Sequence, residues 1–381
     1  VSKGGWRKAL PAVEVTPRDV IQWPYQSYHY WNMPLGADAD LQPCGMTAPA
    51  IFRAERDLLF IDPSAPEQTI YAHTGGWNTT PRCDQTTGTP LANLNSWNPL
   101  PMTVFTLGGD WDDNNQCTSF LSLDGNGDIR RTETQPFVFC GAGVAYSQFS
   151  RSGYQGGYID HRAVMPAEDG NGAGVEAAGV GGSHGGSGIE AFGGNIRLRH
   201  IAESKIDTAL KIVLNTARWL STVDAQYPRW PAWRVDAGWA NYGQSRPGGT
   251  GTAPVGMRMG CLLALPQSFS LASLDTPAGA MIAEALQTYG GYVCDGAQAQ
   301  DGFYLGVEYG PQGDVETTFA AKFGHQFRQR NVDNPTGIAL DFFNDMKTVI
   351  QNLHLVADNS STNIGGSGTR VGPMALALPG E

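Results

Sequence analysis

The sequence predicts a mainly β protein: an antiparallel sandwich of jelly-roll type, with two helices packed against it and long glycine-rich loops. Three observations carry that reading. Several segments alternate apolar and polar residues with the period of a half-buried strand. Only two segments, near 277–289 and 338–353, carry a helical stripe of apolar residues. Among 381 residues there are 49 glycines and 24 prolines, and charged residues are 16% of the chain, against about a quarter in an average soluble domain. Apolar and aromatic residues run its whole length, which sets it apart from chains that stay unfolded.

The elements follow in order. In "TPRDVIQW", Thr16 offers an N-cap and Pro17 a first helical position. "PYQSYHYWNMPLG" is an aromatic loop broken by prolines. "DLLFIDP" and "QTIYAHTG" are short strands ended by turn residues. From 75 to 135 the chain is polar, with "MTVFTL" as a strand, and so long a connection calls for a function or a cross-link. "NIRLRHI" alternates Ile196, Leu198 and His200 against Asn195, Arg197 and Arg199. "KIDTALKIVLN" sets Ile206, Leu210, Ile212 and Leu214 opposite Asp207, Lys211 and Asn215, and "GMRMGCLLALP" alternates Met257, Met259, Cys261, Leu263 and Leu265. These patterns suit antiparallel strands with one face in water.

Two helices interrupt the strands. In the first, Thr276 caps, Pro277 starts, Ile282, Ala285, Leu286 and Tyr289 form the stripe, and Gly290 ends it. In the second, the stripe is Phe342, Met346, Val349, Ile350 and Leu353. Each runs into a short strand, "YVCD" and "HLVAD". No fixed period recurs, which excludes a solenoid or propeller. The expected organisation is one β-rich unit over 1–381, divisible into a loop-rich part, 1–150, and a sandwich part, 151–381, holding both helices.

A net charge of −11 argues against a nucleic-acid surface, which needs a basic stripe. No stretch approaches the roughly 18 apolar residues of a membrane span. Cys44, Cys83, Cys117, Cys140, Cys261 and Cys294 are even in number with no C-x-x-C pair, favouring up to three disulfides in an oxidising compartment over a zinc site. The start at Val1, with no initiator Met or apolar leader, suits a processed chain as well as a trimmed one. The expectation is a secreted, extracellular protein. Asn78 and Asn359 head acceptor sequons.

Three constellations could carry chemistry. The stretch 158–207 gathers Asp160, His161, Glu168, Asp169, Glu176, His184, Glu190, His200 and Asp207 around the run "GVGGSHGGSGIEAFGG". Glycine lets backbone approach a ligand or adopt positive φ, and carboxylates with a histidine serve general acid and base roles. The candidate catalytic residues are Asp160, His161, Glu176, His184 and Glu190. The bland reading is a solvated loop whose polar residues make turns and caps.

The second constellation is "YPRWPAWRVDAGWANY". Tyr227, Trp230, Trp233 and Trp239 offer faces for sugar rings, Arg234 and Asp236 offer hydrogen bonds, and Pro228 and Pro231 restrain the loop. These six aromatic and charged residues are the candidate glycan-binding set, although some of the indoles can simply pack in the core. The third is "DGNGD", where Asp124, Asn126 and Asp128 match the start of a calcium loop. Ile129 and Gln135 then depart from that pattern, and plain hairpin turns also explain it. No metal or cofactor beyond a structural calcium is implied.

The segments "HGGSGIEAFGGNIR", "IDTALKI", "YPRWPAWRVDAG", "VGMRMGCLLALP", "EALQTYGGYVCD" and "ADNSSTNIGGSGTRVGPMALALP" resemble a group of uncharacterised bacterial extracellular proteins. The resemblance covers about half of the chain. It implies secretion and a β architecture of the kind found among carbohydrate-related proteins, and it supplies no catalytic residues.

The leading expectation is a secreted polysaccharide-cleaving enzyme, a glycoside hydrolase or lyase, with the 158–207 region beside a Trp-lined cleft. The alternative is a non-catalytic extracellular protein that binds glycan or self-assembles as a filament or surface layer. A glycan is the expected partner, with no nucleic acid and no membrane insertion, and a homo-oligomer or assembly is compatible with either.

Overall fold

A computed structural model of the chain describes residues 22–57 (24 and 26 excepted), 184, 186–246, 253–297, 302–310, 312–327 and 335–377, and the backbone of the strands between 58 and 158. The described residues hold fifteen strands in chain order. They are β1 (Leu41–Pro43), β2 (Ile51–Phe60), β3 (Glu67–Tyr71), β4 (Pro90–Asn95), β5 (Thr118–Leu123), β6 (Ile129–Thr134), β7 (Phe139–Cys140) and β8 (Ala145–Tyr146). Then come β9 (Gln155–Tyr158), β10 (Leu210–Leu214), β11 (Leu262–Ala264), β12 (Gly291–Gly296), β13 (Gly302–Gly310), β14 (Gly313–Asp314) and β15 (His354–Val356). The helices are α1 (Leu198–Glu203), α2 (Thr216–Trp219), α3 (Pro277–Thr288), α4 (Val315–Phe323) and α5 (Ile338–Gln351).

Eleven strands form one sheet, ordered β1-β15-β11-β12-β10-β13-β2-β5-β6-β9, with β14 on β13. The protein is β-rich, as expected, but the sheet is mixed. β10 with β12, β13 with β2 and β2 with β5 run parallel; the other pairs in the sheet are antiparallel. The purely antiparallel pairing of a jelly roll is therefore not what the described strands adopt. The sheet also draws strands from both sides of residue 150.

The central strands are covered on both faces, and the faces differ in chemistry. Paired residues point to the same side of a sheet. Phe52, Ile212, Leu214, Phe303, Leu305 and Val307 make the apolar side, in one buried cluster with Ile282 and Leu286 of α3 and Phe342 and Met346 of α5. The Phe52 ring lies 5.8 Å from that of Phe342. On the other side the register sets Arg53 beside Tyr304, Glu55 beside Gly306 and Asp57 beside Glu308. Lys211 of β10 joins this side, and so does Asp295, which pairs with Val213 after a register shift. Arg53, Glu55, Asp57, Lys211, Asp295 and Glu308 are all buried. A charged face taken out of water is costly unless its charges are paired.

Residues 184 and 186–197 cover that polar face. Gly194 and Ile196 wedge between β10 and β13: Lys211 N donates to Gly194 O (2.7 Å), Ile196 N to Gly306 O (2.8 Å) and Glu308 N to Ile196 O (2.9 Å). The chain then enters α1, where the alternation of "NIRLRHI" had predicted a strand. Here Arg197, His200 and Ile201 are buried, the i, i+3, i+4 spacing of a helix. The His200 ring turns back to accept from Arg197 N (3.0 Å), and Glu308 accepts from Leu198 N (3.1 Å). Those two acceptors satisfy N–H groups that a helix start leaves open.

Both predicted helices form. Thr276 caps α3 by accepting from Gly279 N (3.0 Å), Pro277 starts it, and Gly290 follows it at φ 73°. The α5 stripe is buried throughout. "GMRMGCLLALP" is a strand only over Leu262–Ala264, because Gly260 turns the chain at φ 89°, a conformation no strand uses. Cys44, Cys261 and Cys294 are buried free thiols, so none of the up to three expected disulfides joins the described cysteines. Cys83 and Cys117, and the side chain of Cys140, lie outside the described residues. Asn359 is only 4% exposed and its Oδ1 accepts from Gly365 N (2.9 Å), so this sequon presents no acceptor amide. Asn78 and the Thr16–Pro17 helix start lie outside the described residues.

Candidate functional site

The glycine run and the tryptophan-rich loop, 40 to 50 residues apart in sequence, meet over the polar end of the sheet. His184 opens a tight turn in which its N–H donates to Ile189 O (3.1 Å) and Gly188 N donates to His184 O (2.8 Å). Gly188 has φ 72°, and a Cβ there would strike the Trp233 indole. That indole donates through Nε1 to Gly188 O (2.9 Å), and Trp233 N donates to Ser187 O (3.1 Å). At Gly186 a Cβ would lie 2.8 Å from Asp295 Oδ1 and 3.2 Å from Asp236 Oδ2. The missing side chain is what lets two carboxylates approach one another across the turn.

Asp295 ends the buried run of β12. Its Oδ1 accepts from Gly186 N (3.2 Å) and Gly296 N (2.8 Å), and its Oδ2 lies 3.4 Å from His184 Nδ1. Asp236 comes from the opposing loop, where Tyr242 OH donates to its Oδ2 (2.5 Å). Burial, together with the negative charge of Asp295, raises the Asp236 carboxyl to about 6, against the pull of the Tyr242 hydrogen bond and the Arg234 guanidinium. Burial and the Asp236 charge push the Tyr242 phenol well up, so it stays a neutral donor.

Behind this pair lies a line of buried charges. His184 Nε2 is 3.4 Å from Asp57 Oδ2, and that same oxygen pairs with Lys211 Nζ. Burial alone would raise Asp57, but the Lys211 ammonium and His184 hold it below the usual carboxylate range. Cys294 lies within the field of His184, Lys211, Glu190 and Asp57, and burial pushes its thiol up to about 12. It is therefore an unreactive neutral group near neutral pH.

Of the predicted catalytic residues, His184 and Glu190 are described, and both are buried. Glu190 accepts from Tyr30 OH (2.7 Å) and from Trp31 Nε1, an aromatic clamp deep in the core. Asp160, His161 and Glu176, and the calcium candidates Asp124, Asn126 and Asp128, lie outside the described residues. Among the glycan-binding candidates, Trp230 is a core residue, packed against Tyr30 (5.5 Å between rings) and Tyr292 (6.3 Å). Tyr227 (59%) and Trp239 (38%) are exposed, and Trp233 and Arg234 are half-buried, with the guanidinium 4.9 Å over the indole.

Sequence reasoning missed Asp57, Lys211 and Asp295 as site residues. For two of them the signal was present: Lys211 and Asp295 are each the one charge in an otherwise apolar strand, whereas Asp57 ends the charged run "RAERD". It reads as a solvent face when the sheet is taken as half-exposed. A small half-open pocket is lined by Trp23, Phe192, Arg197, Arg199 and His200. Its cations are already engaged, Arg197 with Glu308 (2.7 Å) and Arg199 with Asp207 (2.6 Å). Among the described residues no cluster of three or more His, Cys, Asp or Glu could hold a metal ion, and no helix is long and apolar enough to cross a membrane. No protein-family model, curated protein or solved structure matches the chain.

Proposed function

We propose that the chain cleaves glycosidic bonds of a polysaccharide, with Asp236 as general acid and Asp295 as its ionised partner. The observation that carries this reading is the Asp236 carboxyl, raised to about 6 beside a second carboxylate. A carboxyl raised so that it still holds a proton, set beside a second carboxylate, is the usual equipment for acid-catalysed glycoside cleavage. The half-buried Trp233 and Arg234 and the exposed Trp239 and Tyr227 on the same loop supply faces and donors for sugar rings.

In this reaction the Asp236 proton passes to the leaving oxygen as the bond from that oxygen to the anomeric carbon breaks. The Asp295 carboxylate stabilises the positive charge that develops on the sugar. Water then adds to the anomeric carbon and returns a proton to Asp236. A polymeric substrate implies an extracellular setting, and that placement rests on the substrate and on the resemblance stated above. The cysteines no longer argue for it, since three of them are free thiols.

The test is product release from a panel of neutral and acidic polysaccharides, read as reducing ends and as unsaturated sugars. The expected result is release by the native chain and a loss of roughly 10²–10⁴-fold in Asp236→Asn. Unsaturated products would redirect the chemistry to elimination. No release across the panel by folded protein would overturn the enzyme reading, and a glycan retained without cleavage would favour a binding protein.

A further inference from the structure

The acid–base reading uses Asp236 and Asp295 and leaves three fully buried groups behind them, His184, Asp57 and Lys211. These form a continuous line. Lys211 Nζ donates to Ala191 O (2.7 Å) and pairs with Asp57 Oδ2. His184 stands between two carboxylates, 3.4 Å from Asp57 Oδ2 through Nε2 and 3.4 Å from Asp295 Oδ2 through Nδ1. A neutral imidazole has one N–H and would turn a lone pair towards one of these oxygens, whereas the imidazolium donates to both.

Charge balance agrees. With His184 cationic, Lys211 and His184 offset Asp57 and Asp295, and the buried set is neutral when Asp236 holds a proton. Among the described residues the other charged groups on this side are Arg234, whose Nη2 donates to His184 O (3.0 Å), with Glu190, which shares the field at Cys294, then Arg53 with Glu55, and Arg197 with Glu308. Each of these sets too is opposite in sign. Tyr242 and Cys294 stay neutral. A neutral His184 beside an ionised Asp295 would instead leave one carboxylate uncompensated out of water, which is expensive.

We propose that His184 is a positioning residue that keeps Asp295 ionised and so assigns the proton of the carboxylate pair to Asp236, while the Asp57–Lys211 pair holds His184 in its doubly donating state. The catalytic consequence rests on the glycosidase reading; the charge assignment does not. Without the His184 cation, Asp295 loses the partner that stabilises its charge, takes up the proton itself, and leaves Asp236 ionised. The acid and its partner would exchange roles.

The experiment is carboxyl carbon NMR on ligand-free protein labelled at aspartate, titrated between about pH 3 and 9, with signals assigned through Asp236→Asn and Asp295→Asn. In the native chain the titration step near 6 should belong to Asp236. In His184→Gln the upper step should move to Asp295, and the Asp236 midpoint should fall by about one pH unit or more. Asp57→Asn should shift Asp236 the same way by less. Nitrogen NMR of the native His184 ring needs no variant and should show both nitrogens protonated at neutral pH. A neutral ring, or an Asp236 midpoint unmoved in folded His184→Gln, would overturn the proposal. A polysaccharide panel without product alongside the expected NMR pattern would sink the glycosidase reading and leave this assignment standing.

Discussion

Gly186 is where the candidate site is most sensitive to a single atom. A Cβ there would lie 2.8 Å from both Asp295 Oδ1 and Met259 Cε, closer than packed atoms tolerate. Gly186→Ala should therefore push Asp295 from Asp236 and lower the Asp236 midpoint from about 6 towards the ordinary carboxylate value, as carboxyl NMR would read. An unchanged midpoint would mean that the two carboxylates do not interact across this turn. His200 is a second informative residue. Burial lowers its imidazole to about 4, and its Nδ1 accepts from Arg197 N, which requires a bare nitrogen. The unfolded chain thus binds a proton that the folded chain refuses between about pH 6.5 and 4, so stability falls as pH falls through that window, by about 3 kcal/mol. Asp207, held below its ordinary value despite burial by His200 and Arg199, adds to the loss at lower pH. Glutamine is a normal partner for a helix N-terminus at this position. His200→Gln should keep the cap and flatten the drop in thermal midpoint between pH 7 and pH 4; an unaltered slope would contradict this account.

At the scale of elements, the helices were legible and the sheet was legible only in part. The stripes of α3 and α5 need nothing but their own spacing, and both are buried as read. The start of α3 depends on more than its own cap. Asp345 of α5 accepts from Asp275 N (2.8 Å), Thr276 N (2.8 Å) and Thr276 Oγ1 (2.6 Å), so one buried carboxylate locks the two helices together. Asp345→Ala should destabilise the fold by roughly 2–4 kcal/mol, measured by chemical denaturation, with Asp345→Asn recovering part of it. A loss below about 1 kcal/mol would show that this lock is dispensable. The strands misled for a stated reason. Alternation separates two faces but does not say that the polar one is in water, and here "KIDTALKIVLN" and "DLLFIDP" bury Lys211 and Asp57 on that polar face. In "NIRLRHI" the adjacent buried pair His200–Ile201 breaks strict alternation and marks the helix. The nine-residue strand β13, "GFYLGVEYG", passed unread because glycines punctuate it.

Across the whole molecule, the central strands carry opposite chemistries on their two sides: helices pack against the apolar side, and the glycine-rich segment closes the charged one. The glycine run and the tryptophan loop, separate candidates in the sequence, prove to be neighbours, joined through Gly186, Gly188 and Trp233. Which charges they enclose was not legible, because Asp57, Lys211 and Asp295 arrive from three strands by long-range pairing. The enclosed charges also set how the molecule should respond to pH as a catalyst. A general acid works only while protonated, and Asp236 loses its proton at about 6. The most direct measurement is the pH dependence of kcat/KM on a cleaved polysaccharide. The account predicts a rate that falls tenfold per pH unit above about pH 6, with the fall moving to lower pH in Asp295→Asn. A profile flat between about pH 5 and 8, or the same limb with and without the Asp295 charge, would contradict it.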